Sequence, residues 1–331
     1  MFHVGLGPIG VAIARQIATR PGVRSIAAVD TDPLKGGRDL GELAGLEKRL
    51  GVSVRDNLSD AVRKARPDIA VVCTSSSLEG VMADLETLLA FRIPVVSTTE
   101  ELAYPWQSHP RHARRLDTLA RKARVPVLAT GVNPGFVMDA LPIMLTAACE
   151  HVDRITVLRV QDAGMRRLPF QHKVGVGLTP AAFARQVTAG SIRHIGFRQS
   201  MAMIADACGW RLDRVTDEVA PQLATETIHG EHLSVAPGHV CGIVQEAVGY
   251  RSGEPIVRLR LEAYLGAPET YDSIEIEGIP RLTMTLAGGL HGDIATASIV
   301  VNSIPHVLAA APGLRTMRDL VLPSYFTGRR R

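Results

Sequence analysis

The chain has 331 residues, more than one hydrophobic core usually spans, so two domains are expected. Hydrophobic residues make up 46% and charged residues 21%, as in an ordinary globular protein, and no apolar run is long enough to span a membrane. The net charge of +4 comes from interspersed residues of both signs and aromatic residues are only 4%, which argues against nucleic-acid binding. The short basic end at 329–331 is expected to be solvated.

The four cysteines indicate a reducing compartment. None has a close metal-ligand spacing, and all lie in apolar surroundings, so we expect buried thiols and no metal site. The first apolar strand begins at residue 2, which leaves no room for a signal peptide. These features predict a cytoplasmic protein.

The first ten residues combine a short strand with a glycine motif. Residues 2–4 are apolar, Gly5, Gly7 and Gly10 form G-x-G-x-x-G, and helical apolar spacing follows. The first glycine permits a tight turn, the second lets a pyrophosphate approach the backbone, and the third allows close helix packing. Free N–H groups at the helix start would face the phosphates. The predicted dinucleotide-binding residues here are Gly5, Gly7, Pro8, Ile9 and Gly10.

An acidic residue follows the second predicted strand, at 23–29. Asp30 lies twenty residues after Gly10 and can accept both adenosine ribose hydroxyls, which favours NAD because a 2′-phosphate would be repelled. Thr31 is expected beside the same ribose. Lys35 and Arg38 follow closely and could offset the repulsion, so NADP stays open. The alternative is that Asp30 caps the next turn.

Alternating helices and strands continue to residue 97. The predicted elements are a helix at 40–50, a strand at 52–54, a helix at 58–64, a strand at 69–73, a helix at 78–91 and a strand at 94–97. Thr74, Ser75 and Ser76 follow the strand at 69–73, at the edge where open α/β sheets bind ligands. They are expected to line the cofactor, although their hydroxyls could instead cap the following helix.

Two adjacent carboxylates, Glu100 and Glu101, follow the strand at 94–97, with Thr98 expected to contact the cofactor. A helix at 108–123 and a strand at 125–129 come next. The turn after them contains Asn133 and Pro134, and the amide of Asn133 could bind the nicotinamide carboxamide. The alternative is local capping by Asn133 and Asp139. About six parallel strands therefore predict a doubly wound Rossmann domain over 1–135.

The second half of the chain has a different order of predicted helices and strands. The predicted elements are helices at 141–148, 180–188, 192–208 and 295–310, and strands at 155–160, 214–220, 239–248, 255–264, 273–277 and 281–286. The strands mostly alternate, which predicts a second α+β domain with a largely antiparallel sheet over 136–331, for substrate binding and dimerisation. A C-terminal helix from about 302 could return to the first domain.

Several motifs together resemble a known family. They are Gly5-x-Gly7-x-x-Gly10, Ser97-Thr-Thr-Glu-Glu-Leu-Ala-Tyr-Pro105, Gly131-Val-Asn-Pro-Gly135, Gln171-x-Lys173-x-Gly175-x-Gly177, Val301-Asn-Ser-Ile-Pro305 and Pro312-Gly-Leu-x-Thr316. In these the chain resembles 2,4-diaminopentanoate dehydrogenases and native NAD(P)-dependent amine dehydrogenases, which are distantly similar to dihydrodipicolinate reductase. The resemblance implies oxidative deamination of a primary amine, or reductive amination of a ketone or aldehyde with ammonia. It also implies a homodimer and an acid/base at Glu100 or Glu101, with Glu100 preferred.

The substrate is less constrained by these motifs. The expected pocket residues are Val132, Val137, Leu141, Met165, His172, Thr296 and Asn302. Their largely apolar character favours small aliphatic amines and ketones, whereas diaminopentanoate would need a cation such as Arg166 or Arg167 for its carboxylate. A cyclic-imine or semialdehyde reductase using Lys173 or His172, and a nicotinamide-binding sensor without catalysis, are the remaining alternatives.

Overall fold

The computed structural model describes residues 1–328, so the basic end predicted to be solvated lies outside the described residues. The chain forms two compact units, Met1–Ala140 together with the chain from His291 onward, and Leu141–Leu290. The predicted division at residue 135 assigned 291–301 to the second domain. The structure groups this segment with the first unit, because the last helix packs against the first one.

The first unit contains a parallel sheet. Its strands before residue 140 are β1 (Phe2–Val4), β2 (Ala27–Val29), β3 (Val54–Arg55), β4 (Ala70–Val72), β5 (Val95–Ser97) and β6 (Pro126–Ala129). All six were predicted, and every neighbouring pair is parallel. Residues 70–72 are buried throughout, as expected for a strand covered on both faces.

Helices cover both faces of this sheet. They are α1 (Pro8–Thr19), α2 (Leu40–Leu43), α3 (Leu58–Ala65), α4 (Leu78–Ala90) and α5 (Pro110–Ala123). Because side chains alternate along a strand, Ala27 and Val29 join the apolar cluster with α3, α4 and α5, whereas Ala28 joins the one with α1. This arrangement is the predicted doubly wound fold.

The predicted helix at 40–50 is wrong beyond its first turn. Asp39 is buried, and its carboxylate accepts hydrogen bonds from the backbone N–H groups of Gly41, Leu50 and Gly51 at 2.8 Å each. These three bonds fold the segment back on itself, and α2 ends after four residues. Burial raises the pKa of Asp39, but the three donors outweigh it and the pKa lies below its ordinary value.

The second unit contains a mixed, largely antiparallel sheet. Its elements are α6 (Ala140–Leu145, whose first residue belongs to the first unit), β7 (His151–Asp162), α7 (Leu168–Lys173), α8 (Pro180–Thr188), α9 (Phe197–Ala207), β8 (Arg214–Leu223), β9 (Ile228–His229), β10 (Ser234–Val235), β11 (Val240–Arg251), β12 (Glu254–Tyr264), β13 (Tyr271–Ile279) and β14 (Leu282–Ala287). The main sheet has the order β14-β13-β7-β12-β11-β8, and only β7 and β12 pair in parallel. Packing by α9 buries one face.

The chain then completes the first unit with α10 (Gly292–Ala309) and β15 (Gly313–Arg315). The last strand pairs in parallel with β6 and gives the seven-stranded order β15-β6-β5-β4-β1-β2-β3. Its residues are Gly-Leu-Arg, which do not form an apolar run, so the sequence did not predict this strand. Within residues 1–328, no helix is both long and apolar enough to cross a membrane.

Candidate active site

The glycine motif closes the turn between β1 and α1. Gly5 has φ +87°, and a Cβ there would lie 2.7 Å from the carbonyl oxygen of Cys73. A Cβ at Gly10 would lie 2.1 Å from the carbonyl oxygen of Gly5, so both positions exclude a side chain. A Cβ at Gly7 would meet no atom of the described chain within 4 Å, and Gly7 precedes the first helical residue, Pro8. The free helix start beside this open space fits a dinucleotide phosphate.

Asp30 connects the end of β2 to the glycine turn. Its Oδ2 accepts from the backbone N–H of Leu6 at 2.6 Å and from Lys35 Nζ at 3.1 Å, and its Oδ1 accepts from the N–H of Asp32 at 2.9 Å. Burial raises the pKa of Asp30, but these donors outweigh it and leave the pKa below its ordinary value. Asp30 is therefore an ionised part of the turn itself as well as a candidate ribose ligand.

A cavity of about 570 Å³ lies where β2 and β3 end, with Thr31 in its wall. Its charged lining consists of Asp30, Asp32, Asp56, Asp60, Arg55 and Lys64. The volume is within the usual range for small-molecule sites. Carboxylates outnumber cations in this lining, so a ligand that adds further negative charge is disfavoured here.

The two cations predicted to offset that charge are already paired. Lys35 Nζ lies 3.1 Å from Asp30 Oδ2 and 3.4 Å from Asp32 Oδ2. Arg38 donates to Glu42 Oε1 from Nε at 3.0 Å and from Nη2 at 2.6 Å. The sequence placed these residues near the site but did not reveal their acidic partners.

Hydroxyl groups join the loops that follow β4 and β5. Thr99 Oγ1 donates to the carbonyl of Ser75 at 2.8 Å, and the N–H of Glu101 donates to the carbonyl of Ser76 at 3.2 Å. Ser75 Oγ accepts from the N–H of Ser77, and the Thr74 hydroxyl donates to Asp84. Ser75 Oγ thus makes a turn bond and the Thr74 hydroxyl bonds a side chain of α4, so neither caps that helix, and their contact with the cofactor stays a prediction.

The side chain of Glu101 caps α4. Its Oε2 accepts from the N–H of Leu78, the first residue of that helix, at 2.8 Å, and lies 3.5 Å from His109 Nε2. A carboxylate at a helix N-terminus satisfies an unpaired donor and complements the helix dipole. Glu101 therefore has a structural role, which its place in the sequence did not reveal.

Glu100 differs from its neighbour. It begins a single 3₁₀ turn after β5, is half-buried, and its charge helps to raise the pKa of Cys73. Burial is the main cause of that shift, to about 12, and a hydrogen bond with Thr98 opposes it. Since the Cys73 carbonyl lies against Gly5, Glu100 and Thr98 belong to the same edge of the sheet as the glycine turn.

The turn after β6 holds a polar atom without a partner. Asn133 is 7% exposed, its Nδ2 donates to Met138 Sδ at 2.8 Å, and its Oδ1 is buried with no hydrogen-bond partner among residues 1–328. An unpaired buried amide oxygen is costly, and a ligand N–H would satisfy it. Asp139, by contrast, accepts from Gly135 N and Ala140 N, so it has the local capping role. Pro134, beside Asn133, is buried.

The predicted pocket residues of the first unit divide into two groups. Val132 and Val137 are buried, and Thr296 Oγ1 accepts from the N–H of Val132 at 3.2 Å, so these three belong to the turn after β6. Asn302 Oδ1 instead accepts from Arg20 Nη1 at 3.2 Å. Arg20 follows the C-terminal end of α1, roughly 18 Å along the helix from its phosphate-facing start, and the place of Asn302 in the substrate pocket stays a prediction.

The other predicted pocket residues belong to the second unit. Leu141 is buried, whereas Met165 is 75% exposed and His172 is exposed. Arg166 is buried, with its guanidinium 4.2 Å from the ring centre of Phe170, and Arg167 is exposed. Met165 therefore does not supply a buried apolar wall within its own unit.

The chain matches two family models that together span nearly its whole length. Residues 4–128 match dihydrodipicolinate reductase, N-terminus, and residues 136–331 match the 2,4-diaminopentanoate dehydrogenase C-terminal domain. The chain belongs to the 2,4-diaminopentanoate dehydrogenase family. The resemblance predicted from the motifs is thereby confirmed, as are the fold class and the assignment as an oxidoreductase.

Individual relatives of the family agree. The chain is 30% identical to 2,4-diaminopentanoate dehydrogenase of Acetoanaerobium sticklandii, over 98% of this chain and 94% of the relative. It is 25% identical to an amine dehydrogenase of Streptomyces virginiae, over 96% and 95% of the two chains. A solved amine dehydrogenase from Mycobacterium smegmatis has the same fold, with a TM-score of 0.86, 24% identity, and coverage of 98% of this chain and 97% of that chain.

Proposed function

We propose that this family member oxidatively deaminates a primary amine to a ketone or aldehyde and, in reverse, aminates the carbonyl compound with ammonia. The observation on which the proposal rests is that the two adjacent glutamates have different structural environments. Glu101 is engaged as the cap of α4, and Glu100 lies at the edge of the sheet that holds the glycine turn. Glu100 is therefore the carboxylate proposed as acid/base.

The reaction requires the transfer of one proton from the substrate nitrogen. The nicotinamide of a bound dinucleotide supplies or accepts the hydride. An ammonium nitrogen has no free lone pair, so it must lose a proton before the neighbouring carbon can release a hydride, and the Glu100 carboxylate accepts that proton. In reverse, the protonated carboxyl group donates to the carbinolamine oxygen, which leaves as water. Amine plus water thus gives carbonyl compound plus ammonium, with two electrons and one proton leaving as hydride.

NAD is proposed as the preferred dinucleotide, bound through the residues predicted from the sequence around Gly7, Asp30 and Asn133. The open space at Gly7, the acidic cavity at the ends of β2 and β3, and the unpaired Oδ1 of Asn133 support this assignment. A 2′-phosphate would add negative charge beside the carboxylates of that cavity.

A small aliphatic amine or ketone is proposed as the substrate, in line with buried Val132 and Val137 beside Asn133 in the turn after β6. A second candidate is an amino acid such as 2,4-diaminopentanoate. The 30% identical relative bears that name, and the buried guanidinium of Arg166 is of the type that binds carboxylates.

Ammonium dependence tests the reaction. NADH oxidation should be measured with a panel of ketones and keto acids, with and without ammonium, and the amines should be tested in the oxidative direction. If the enzyme carries out reductive amination, the oxidation of NADH with the carbonyl compound will depend on ammonium. Equal rates without it would indicate a simple carbonyl reductase and overturn the proposal, whereas a preference for keto acids would favour the second candidate.

A homodimer formed through the second sheet is also proposed. Register places Leu158, Arg260 and Glu246 side by side on the face opposite the one covered by α9, and all three remain half-buried. Arg258 and Arg260 pair with Glu246 on this face, and Arg260 also pairs with Glu262. Two cations thus meet two carboxylates, which leaves little unbalanced charge for a second copy to bury. Light scattering should give twice the chain mass, and Leu158→Asp should give the single-chain mass; a monomeric wild type would contradict the assignment.

A reducing, cytoplasmic location is proposed as well. All four cysteines are free thiols, and burial raises the pKa of Cys73 to about 12, which keeps that thiol in its unreactive form.

A further inference from the structure

Lys35 is the cation nearest to the proposed ribose ligand, and two carboxylates hold it. Its Nζ lies 3.1 Å from Asp30 Oδ2 and 3.4 Å from Asp32 Oδ2, and its side chain is 24% exposed. Its backbone N–H also donates to the carbonyl of Asp32, so both residues belong to one tight turn. We call Asp30, Asp32 and Lys35 the ribose-edge triad.

The two carboxylates of the triad differ in their exposure and in their hydrogen-bond partners. Asp30 is 10% exposed and also holds the backbone N–H groups of Leu6 and Asp32, so removing it would disturb the glycine turn. Asp32 is 38% exposed and lines the cavity, and among residues 1–328 its Oδ1 accepts only from the N–H of Leu34, within its own turn. Asp32 is therefore the member whose charge can be removed without dismantling the site.

We propose that Asp32 is the residue that discriminates against a 2′-phosphorylated dinucleotide, because it keeps Lys35 neutralised. The inference rests on the proposed use of a nicotinamide dinucleotide. With both carboxylates ionised, the triad has a net charge of −1 and repels a 2′-phosphate. Without the charge of Asp32, the triad is neutral and Lys35 is held by one carboxylate alone, so its ammonium can donate to the phosphate.

The other nearby cations do not explain such a switch. Arg38 donates two hydrogen bonds to Glu42, which leaves its charge balanced. Arg55 and Lys64 line the same cavity and are unchanged when Asp32 is replaced, so their contribution to the binding of either dinucleotide stays constant. A change in preference on altering Asp32 must therefore come from the lost charge or from Lys35.

The experiment measures the dissociation constants of NADH and NADPH by the fluorescence of the reduced cofactor, with no substrate present. Asp32→Asn keeps an acceptor for Leu34 N and removes the charge; Asp32→Ser keeps an acceptor in a shorter side chain and serves if the first variant unfolds. Each should lower the ratio of the NADPH constant to the NADH constant at least tenfold, with NADH binding changed less than threefold. Adding Lys35→Met to Asp32→Asn should erase this gain.

Asp60→Asn is the matched control, because Asp60 lines the same cavity and the charge change is equal. It should lower the ratio by less than a third of the effect of Asp32→Asn, because Lys35 stays paired with both carboxylates of the triad. An equal gain with Asp60→Asn, or a gain that survives Lys35→Met, would show general charge repulsion and overturn the role of the triad. An unchanged ratio in both Asp32 variants, with NADH still bound, would also overturn it. A wild type that binds neither dinucleotide would instead refute the proposed function itself.

Discussion

Exchanging the two adjacent glutamates one at a time should separate catalysis from stability. Glu101→Ala removes the acceptor for the N–H of Leu78 and the charge beside His109. Loss of an N-terminal cap costs about 1 kcal/mol, and loss of a charge at a helix start costs up to about 1 kcal/mol more. The expected destabilisation of about 1–2 kcal/mol should lower the Tm of a chain of 331 residues by roughly 1.5–3 °C.

Glu100→Gln should have the opposite profile. The amide keeps the size of the side chain but cannot accept the proton of a substrate ammonium, and loss of a general base typically lowers kcat about 10²–10⁴-fold. The Tm and the affinity for NADH should change little, since the cap of α4 depends on Glu101. We therefore expect Glu101→Ala to lower stability and Glu100→Gln to lower turnover.

The assay combines thermal unfolding with steady-state oxidation of whichever amine of the panel gives the best turnover. Glu101→Gln is the control, because its amide oxygen can still accept from Leu78 and only the charge is lost. A variant of Glu101 that loses more turnover than Glu100→Gln, at a temperature where both are folded, would refute the assignment. So would a Glu100→Gln enzyme with turnover like that of the wild type.

Three further changes test other parts of the first unit. Burial lowers the pKa of His3 to about 3, so between pH 6.5 and pH 3 only the unfolded chain binds the proton, and the free energy of unfolding decreases as the pH falls. About 2 kcal/mol of stability should be lost between pH 7 and pH 5, and His3→Gln should remove this pH dependence, as measured by chemical unfolding. Asp39→Asn should lower the free energy of unfolding by about 2 kcal/mol at pH 7. Because the pKa of Asp39 is lowered in the folded chain, the difference in stability between wild type and variant should vanish as the pH falls from 3.8 through the folded-state pKa; a difference that does not change with pH would contradict this role of Asp39. Asn133→Ala should weaken NADH binding about 3–10-fold without lowering the Tm, and unchanged binding would remove Asn133 from the site.

The elements that the sequence predicted well are those whose signal is local. Buried parallel strands are continuous apolar runs, and all six before residue 130 were found, together with the glycine motif between the first strand and helix. The start and end of α8 at Pro180 and Thr188 were also correct, since Pro and a preceding threonine cap mark the beginning. Such patterns require no knowledge of distant residues.

The errors arise where a distant contact decides the outcome. The segment at 40–50 has helical spacing, yet Asp39 binds N–H groups at both of its ends and shortens the helix. The sequence likewise did not predict that Asn302, which lies in a family motif, contacts Arg20, 282 positions away. Periodicity carries no information about either contact, because both depend on how the chain closes on itself.

Asp30 has contacts in the structure that bear on its predicted role as a ribose ligand. The sequence predicted that its carboxylate accepts both adenosine ribose hydroxyls, and an ionised carboxylate has about four acceptor positions. Three are taken in the structure, by Leu6 N, Asp32 N and Lys35 Nζ. One position is left, so in the proposed binding mode a ribose would place only one hydroxyl on Asp30 and would need another acceptor in the cavity wall for the second. In that mode the affinity for the ribose would be shared between Asp30 and the turn that follows it, which is the same turn that holds Lys35.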